Sequence, residues 1–212
     1  TTPGVTPGDT GIILSTGPAR WFTNSNGSAN QSSSTSFNTG GPNNDSDFNA
    51  VAGTSTYDAS FLEVDFIPEG DTMTMQFVFA SDEYPEYSNS VYNDMVGVWV
   101  NGQHVPLSVT NTATSVGEVN QSDNQNLFTD NTDSAYNTEM DGFTVTMALT
   151  MPVNAGEVNS IKVGVADVTD STYDSNLLIA GGSVQTDHVA QDDAITLQEG
   201  TTKTVDLMAN DD

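Results

Sequence analysis

The sequence predicts an all-β domain with a β-sandwich or jelly-roll-like architecture and long acidic loops. Several short apolar stretches are separated by turn residues, and in the clearest of them apolar and polar residues alternate, as in half-buried strands. Helical periodicity is hard to find anywhere in the 212 residues. Hydrophobic residues make up only 35% of the chain, but aromatic residues occur within several of the apolar stretches. This pattern favours a folded domain over a disordered one.

The predicted strands are short, and turn residues mark their ends. The first is the apolar run at 11–15, and the Ser/Asn-rich segment that follows, 25–44, predicts a long surface loop. Asn101-Gly102 is a strong hairpin signal, because this pair adopts the positive φ angles of a type I′ turn. The later strands are expected at 61–66, 72–80, 95–100, 143–151, 160–167 and 176–184, with one more resuming at His104.

The sequence changes character near residue 187, which divides the chain into two parts. We predict one calcium-dependent ligand-binding domain over residues 1–186, and a linker with the start of another domain over 187–212. The second part resembles the opening of an immunoglobulin- or cadherin-like repeat of bacterial surface proteins, through its Asp192-Asp193 pair and the LMAND run at 207–211. The alternative is a C-terminal tail of the first domain.

The charge balance excludes several classes of function. The chain has 29 acidic and 3 basic residues and a net charge of −26. Nucleic-acid binding depends on Lys and Arg, so no nucleic-acid partner is expected. No apolar run approaches the roughly 18–20 residues of a membrane span, so no membrane insertion is expected. The chain has no Cys, which removes disulfides and thiolate chemistry. We therefore expect bound cations to neutralise the acidic charge, and folding without them to be weak.

The most concentrated acidic motif is FASDEYPEY at 79–87, directly after a predicted strand. It contributes Asp82 and Glu83, and Asn93 and Asp94 follow just before the next strand. Carboxylate and amide oxygens between two strand ends suit Ca²⁺, which takes about six to eight oxygen ligands in irregular geometry, better than Mg²⁺, which needs a near-octahedral site. A solvated acidic loop is the weaker interpretation here, because like charges beside aromatic residues are costly without a counter-ion.

Two further acidic loops extend the set of candidate metal ligands. One carries Asp167, Asp170 and Asp174 at spacings of three and four residues, and the other ends at Asp141. Neither satisfies the pattern of an EF-hand loop. Between positions 123 and 133 of the second loop, a solvated acidic surface is an equally good interpretation.

The sequence contains no set of residues typical of an enzyme active site, and we expect the protein not to be an enzyme. Asp82 and Glu83 could imitate the paired carboxylates of a glycosidase, but adjacent residues of a strand point to opposite faces. No G-x-S-x-G turn accompanies His104 or His188, so a Ser–His–Asp triad has no support. Trp99 lies in an apolar strand and is expected in the core.

Taken in order, several motifs resemble the choice-of-anchor L domain, a module of bacterial surface and secreted proteins. They are GIILSTG, YDA, FLEVDF, FVFASDEYPEY, YND, DGFT and ADVTDSTYDS, and the resemblance covers roughly residues 9–184. It implies several bound Ca²⁺ ions. The implied calcium ligands are Asp82, Glu83, Asn93, Asp94, Asp141, Asp167, Asp170 and Asp174. The residues implied to line a ligand groove are Tyr84, Tyr87 and Tyr92.

The resemblance also implies a location and a partner. The chain is similar to ligand-binding modules of large calcium-dependent repeats-in-toxin (RTX) adhesins used for biofilm formation, so we expect an extracellular position at the bacterial cell surface beside other domains of the same adhesin. Some such modules bind the free C-terminus of a peptide on a partner cell, with Ca²⁺ meeting the carboxylate. A Ca²⁺ ion with an open coordination position would let an acidic protein accept an anionic oxygen. The alternatives are Ca²⁺-dependent carbohydrate binding and a structural spacer that binds no ligand.

Overall fold

The computed structural model describes residues 4–23, 32, 34–106 and 114–187, and its strands form two antiparallel sheets. The strands are β1 (Gly11–Ser15), β2 (Thr56–Phe66), β3 (Thr72–Ser81), β4 (Met95–Val100), β5 (Gln103–His104), β6 (Thr114–Ser115), β7 (Phe128–Asp130), β8 (Gly142–Thr144), β9 (Met147–Pro152), β10 (Asn159–Val168), β11 (Ser175–Ala180) and β12 (Gln185–Asp187). The larger sheet has the order β1-β11-β3-β8-β7, with β9 and β12 also paired to β3. The smaller sheet has the order β2-β10-β4-β5, with β6 also paired to β4. The predicted all-β architecture is confirmed.

The two sheets pack face to face through one main apolar core. The larger sheet contributes every second residue of β3 from Met73 to Phe79, and the smaller sheet contributes valines of β4 and β10. This alternation is the pattern that places one face of each strand in a sandwich core. Trp99 is buried in an adjacent apolar cluster, so its predicted core position is also confirmed.

Most strand predictions are confirmed, and β1 and β4 have the predicted bounds. Asn101 and Gly102 have φ angles of 51° and 74°, as a type I′ hairpin turn requires. The run predicted as one strand at 143–151 is instead two strands, β8 and β9. Their pairing with β3 differs in register by one residue, since Ala80 lies opposite Phe143 and Phe77 lies opposite Met147. Between these pairs, Phe79 donates its N–H to the Thr144 side chain at 3.0 Å.

The predicted loop and the predicted domain boundary are only partly within the described residues. Residues 34–44 contain no strand, in agreement with the predicted surface loop. The C-terminal strand β12 extends to Asp187 and pairs with the start of β3. Residues 188–212, which include His188 and most of the predicted linker and repeat, lie outside the described residues, so the second part of the chain stays a prediction.

One α-helix was missed in the sequence. This helix, α1 (Ser46–Ala52), has seven residues, too few for an apolar periodicity to stand out. Asp45 caps it by accepting two backbone N–H groups of the first turn, and Gly53 ends it with a left-handed φ of 70°. Phe48 is fully buried, and its ring centroid lies 4.9 Å from that of Trp99.

A lysine holds α1 against the smaller sheet. The Nζ atom of Lys162, on β10, lies 2.7 Å from Asp45 and 2.8 Å from Asp47. The same atom lies 4.4 Å from the centroid of the Phe61 ring, which adds a cation–π contact. Lys162 is therefore engaged in attaching the helix, and it does not neutralise the acidic loops.

We expect Phe48→Ala to lower the free energy of unfolding by about 3–5 kcal/mol, because it empties a fully buried ring position. Phe37→Ala is the matched control, since it makes the same chemical change at a side chain that is 47% exposed. The control should cost no more than about 1 kcal/mol. Urea unfolding of the two variants measures both values, and equal losses would contradict the anchoring role of Phe48.

Candidate metal-binding site

Strand ends from both sheets bring buried carboxylates together at one end of the sandwich. In the larger sheet, Asp82 follows the end of β3 and Asp174 precedes the start of β11, where Ser81 pairs with Ser175. In the smaller sheet, the start of β4 pairs with the end of β10, which places Asp94 near Asp167. The Ser175 side chain joins the two sheets by donating to Asp94 Oδ2 at 2.7 Å.

Five carboxylates of this region form what we call the acidic cluster. Each is only 1–2% exposed. In the described part of the chain the ion pairs all belong to Lys162, which is attached to α1. The cluster therefore has no cationic partner among the described residues. Its members are Asp82, Glu83, Asp94, Asp167 and Asp174.

Backbone N–H groups donate hydrogen bonds to some of the carboxylates in the cluster. Asp82 accepts from the N–H of Thr35 and, at 3.1 Å, from that of Asp141. Asp94 Oδ1 accepts from Val168 N at 2.9 Å. These bonds fix the orientation of the carboxylates, but none of the donors carries a full positive charge.

Three oxygens of the cluster lack a hydrogen-bond donor. They are both carboxylate oxygens of Asp167 and Oε2 of Glu83. Asp167 has the Thr16 hydroxyl and the Asp94 carboxyl group as side-chain neighbours, but the Thr16 hydroxyl also has Ser175 O at 3.4 Å and accepts from Ser175 N at 2.9 Å. Asp94 can donate to Asp167 only if it carries a proton. Leaving ionised buried oxygens without a donor is costly, so these atoms indicate either a proton held by the pair or a partner that is not one of the described protein groups.

Burial raises the pKa of every member of the cluster. It raises the pKa of Asp174 to about 6 and that of Asp94 to about 7. Burial, with the charge of Asp141 in addition, raises the pKa of Asp82 to about 8. For Glu83, burial and then the charge of Asp94 raise the pKa to about 9. Burial also raises the pKa of Asp167 well above its usual range. The protein alone thus disfavours the ionised state that a metal ligand needs.

An extended segment at 34–41, which we call the strap, crosses the cluster and is held by its own backbone. Alternate residues donate their N–H groups to buried carboxylates: Thr35 to Asp82, and Phe37 to Asp174 at 2.8 Å. Asp58 then accepts from the N–H groups of the next two alternate residues, at 3.2 and 3.0 Å. The strap is therefore attached at alternate residues, first to two carboxylates of the acidic cluster and then to Asp58.

Asp58 was not identified as a site residue from the sequence. It is 1% exposed, has a left-handed φ of 46° and lies within β2. Its charge contributes to the raised pKa of Asp174. Its place in the YDA motif was the sequence feature that could have identified it. The last residue of the GIILSTG motif also contacts the site, because a Cβ atom at Gly17 would lie 1.8 Å from Asp174 Oδ2 and only glycine fits there.

The prediction that Tyr84 lines a ligand groove is wrong. The side chain is 0% exposed, and its hydroxyl donates to Val119 O at 2.6 Å. Its ring centroid lies 4.8 Å from that of Phe128. Tyr84 is therefore a core residue that supports the loop carrying Glu83.

Tyr87 and Tyr92 are half-buried, and their role in a groove stays a prediction. Their ring centroids lie 5.6 Å apart. A third tyrosine, Tyr173, was missed in the sequence, although it lies in the acidic motif at 166–175. Its ring centroid lies 5.3 Å from that of Tyr87.

The other predicted ligands lie around the cluster. Asp141 is buried and donates its backbone N–H to Asp82. Asp170 is half-buried, and its charge contributes to the raised pKa of Glu83 and of Asp94. Asn93 is half-buried, accepts from Gly117 N at 2.5 Å, and lines a cleft of about 520 Å³. No three Asp, Glu or His side chains in the described ranges already have the geometry of a metal site. Residues 123, 130 and 133 are exposed, in agreement with a solvated loop.

The fold and this site define a β-sandwich domain with buried acidic groups at one end. The chain belongs to the choice-of-anchor L domain family, whose model matches residues 3–185. Domains of this family are associated with cell surfaces. A comparison with curated proteins finds no significant match. In the part of the chain that the structure describes, no helix has the length and apolar character needed to cross a membrane.

Among solved structures, the chain is similar to a family 35 carbohydrate-binding module from an environmental isolate. The sequence identity is 14%, and the alignment covers 78% of this chain and 96% of that module, with a TM-score of 0.30. A likeness at this level does not transfer a ligand.

Without divalent ions, we expect the free energy of unfolding to fall as the pH rises from about 6 to about 9. A raised pKa means that the folded state keeps a proton which the unfolded chain has released, so the stabilisation is complete below about pH 4 and is lost as the pH passes the folded pKa values. Those values run from about 6 for Asp174 to about 9 for Glu83. Ordinary carboxylates are already ionised in this range.

Urea unfolding in EDTA at several pH values measures how steeply the free energy of unfolding falls with pH. Asp82→Asn should reduce this slope, because the substitution removes one of the groups that titrate. Asp65→Asn, at an exposed position on β2, should leave it unchanged. A profile that stays flat or rises over this interval would show that the cluster is not protonated on folding.

Proposed function

We propose that this domain is a Ca²⁺-dependent ligand-binding module of a bacterial cell-surface adhesin, and that it binds the C-terminal carboxylate of a partner peptide or protein. The proposed calcium ligands are drawn from Asp82, Glu83, Asn93, Asp94, Asp141, Asp167, Asp170 and Asp174. The module is proposed to be non-catalytic, to act outside the cell, and to have neighbouring domains of an RTX adhesin and a surface on another cell as its partners.

One observation carries this proposal: the acidic cluster is buried, has no cationic partner in the described chain, and keeps unpaired oxygens on Asp167 and Glu83. The proposed donors are carboxylate oxygens and the amide oxygen of Asn93, which are ligands that a hard cation accepts. Ca²⁺ suits them better than Mg²⁺, because oxygens contributed by four separate strand ends do not favour a regular octahedron. Since no three Asp, Glu or His side chains among the residues that the structure describes are already arranged for a metal, binding would require some carboxylates to turn towards the ion.

The bound ion would supply positive charge at a place where the described residues have none, which is how an acidic domain could accept an anionic ligand oxygen. The chain's own groups would position that ligand. Backbone N–H groups of Val168 and Phe37 hold Asp94 and Asp174 in place. Tyr87 and Tyr92 lie next to the cluster in sequence and offer ring surface and hydroxyl groups for the rest of the ligand.

Carbohydrate binding is the second candidate function, and one exposed aromatic pair favours it. Trp21 and Phe37 are 38% and 47% exposed, and their rings meet edge to face at 5.4 Å. Phe37 belongs to the strap, so this pair lies beside Asp174. A sugar stacked there would be close to any ion held by the cluster.

Asp167→Asn should have opposite effects in the two states of the domain. In EDTA near neutral pH it should raise the free energy of unfolding, because a carboxyl group that must take up a proton on folding is replaced by a neutral amide. In Ca²⁺ it should weaken ion binding and reduce the stabilisation, which is about 2.7 kcal/mol for one site at a hundredfold excess over Kd. Calorimetric Ca²⁺ titration and thermal unfolding measure both effects. Asp65→Asn is the matched control and should change neither.

If the wild-type domain binds no Ca²⁺ and unfolds identically in EDTA, the calcium part of the proposal fails. If Ca²⁺ binds and stabilises the domain but no ligand is found, the domain is a structural spacer.

Ligand binding can be tested on an array of random hexapeptides made with free C-terminal carboxylates and, in parallel, as C-terminal amides. We expect binding only to the free carboxylates and only in Ca²⁺, because the amide cannot supply an anionic oxygen to the ion. Equal binding to the amides would contradict carboxylate recognition. Chelator-sensitive binding to a parallel glycan array, lost in Trp21→Ala, would favour the carbohydrate alternative.

A further inference from the structure

Three tyrosines, which we call the tyrosine cup, contact one another next to the acidic cluster. Tyr87 is central, with Tyr92 perpendicular to it at 5.6 Å and Tyr173 tilted by 46° at 5.3 Å. All three are half-buried, so part of each ring is accessible. Each comes from a loop that also supplies the cluster, within four residues of Glu83, Asp94 or Asp174.

The cup is held in place by its two loops. Tyr87 donates its N–H to Glu83 O at 2.9 Å, and the Thr169 hydroxyl donates to Val91 O at 2.9 Å, which ties the loop of Tyr173 to that of Tyr92. Tyr173 has a left-handed φ of 63°. This conformation is unfavourable for a side chain of its size, and such strain concentrates where a side chain serves a ligand.

An acidic side chain lies near the cup. Hydrogen bonding with Tyr87 is the largest cause of the raised pKa of Tyr173, and the charge of Glu86 contributes to it. Glu86 is exposed and is not one of the proposed calcium ligands. Glu83 is buried and is proposed to bind the ion, so it adds no free charge to the cup. The ion pairs of the described residues all belong to Lys162 and involve neither glutamate.

We infer that the tyrosine cup binds a cationic side chain of the ligand, the ammonium of a lysine or the guanidinium of an arginine, next to the position of the ligand's carboxylate. Ring faces attract cations through their quadrupole, and Glu86 adds a carboxylate whose charge acts on Tyr173. A neutral sugar would use the rings but gain nothing from Glu86. This inference rests on the proposed function, because it assigns a basic residue to the C-terminal end of the partner peptide.

Three small probes distinguish cation binding at the tyrosine cup from carboxylate binding at the calcium site, in NMR titrations of the Ca²⁺-loaded domain. N-acetyl-lysine carries both charges, N-acetyl-norleucine carries only the carboxylate, and N-acetyl-lysine methylamide carries only the cation. We expect N-acetyl-lysine to bind between about twofold and thirtyfold more tightly than N-acetyl-norleucine. Tyr87→Leu should abolish this difference, whereas the matched variant Tyr87→Phe, which keeps the ring, should retain it.

Equal affinities for the lysine and norleucine probes in wild-type protein would overturn the inference and leave carboxylate binding intact. Binding of the methylamide with no binding of norleucine would support the cup and refute the proposed carboxylate site. Binding of a neutral methyl glycoside that is lost in Tyr87→Leu, without a preference for lysine, would make the cup a sugar platform and overturn the inference. Failure of all three probes would overturn both proposals.

Discussion

Negative charge buried where the two sheets meet is the constraint on which the rest of this structure depends. The strand ends that close the sandwich carry carboxylates inward, and the cations of the described chain, Arg20 and Lys162, form no ion pair with them. Ser175 and the backbone of the strap supply hydrogen bonds but no compensating charge. Two solutions remain for such a cluster, which are protonation and a bound cation. The raised pKa values describe the first, and the proposed calcium site is the second.

Strand positions could be predicted where alternation and turn chemistry were local, as in β1, β4 and the Asn101-Gly102 turn. The helix could not, because its stability comes from Asp45, Phe48 and Lys162, whose contacts join distant parts of the chain. The split between β8 and β9 likewise accompanies a shift of register on β3, a strand distant in the sequence. Local pattern therefore predicted the sheets, and long-range contacts decided the exceptions.

The acidic residues of the site were visible as motifs, but their environments were not. The FASDEYPEY motif predicts site positions for Asp82, Glu83 and Tyr84 alike. The Tyr84 side chain is instead buried in the core, where its hydroxyl donates to Val119 O. Asp58 and Tyr173 could not be singled out from their neighbours, because their importance follows from left-handed backbone conformations and from partners far along the chain. Composition predicts that a cation is needed, and only the fold indicates which oxygens lack a partner.

The strap has a consequence for how this part of the chain can vary. Main-chain N–H groups, which every residue except proline possesses, bind it to Asp82, Asp174 and Asp58. The Asn38 and Thr39 side chains add hydrogen bonds to Ser171 and Asp58. Residues other than proline should therefore be accepted more readily at positions 34 and 36 than at Asn38, at Thr39 or at the carboxylates that the strap crosses.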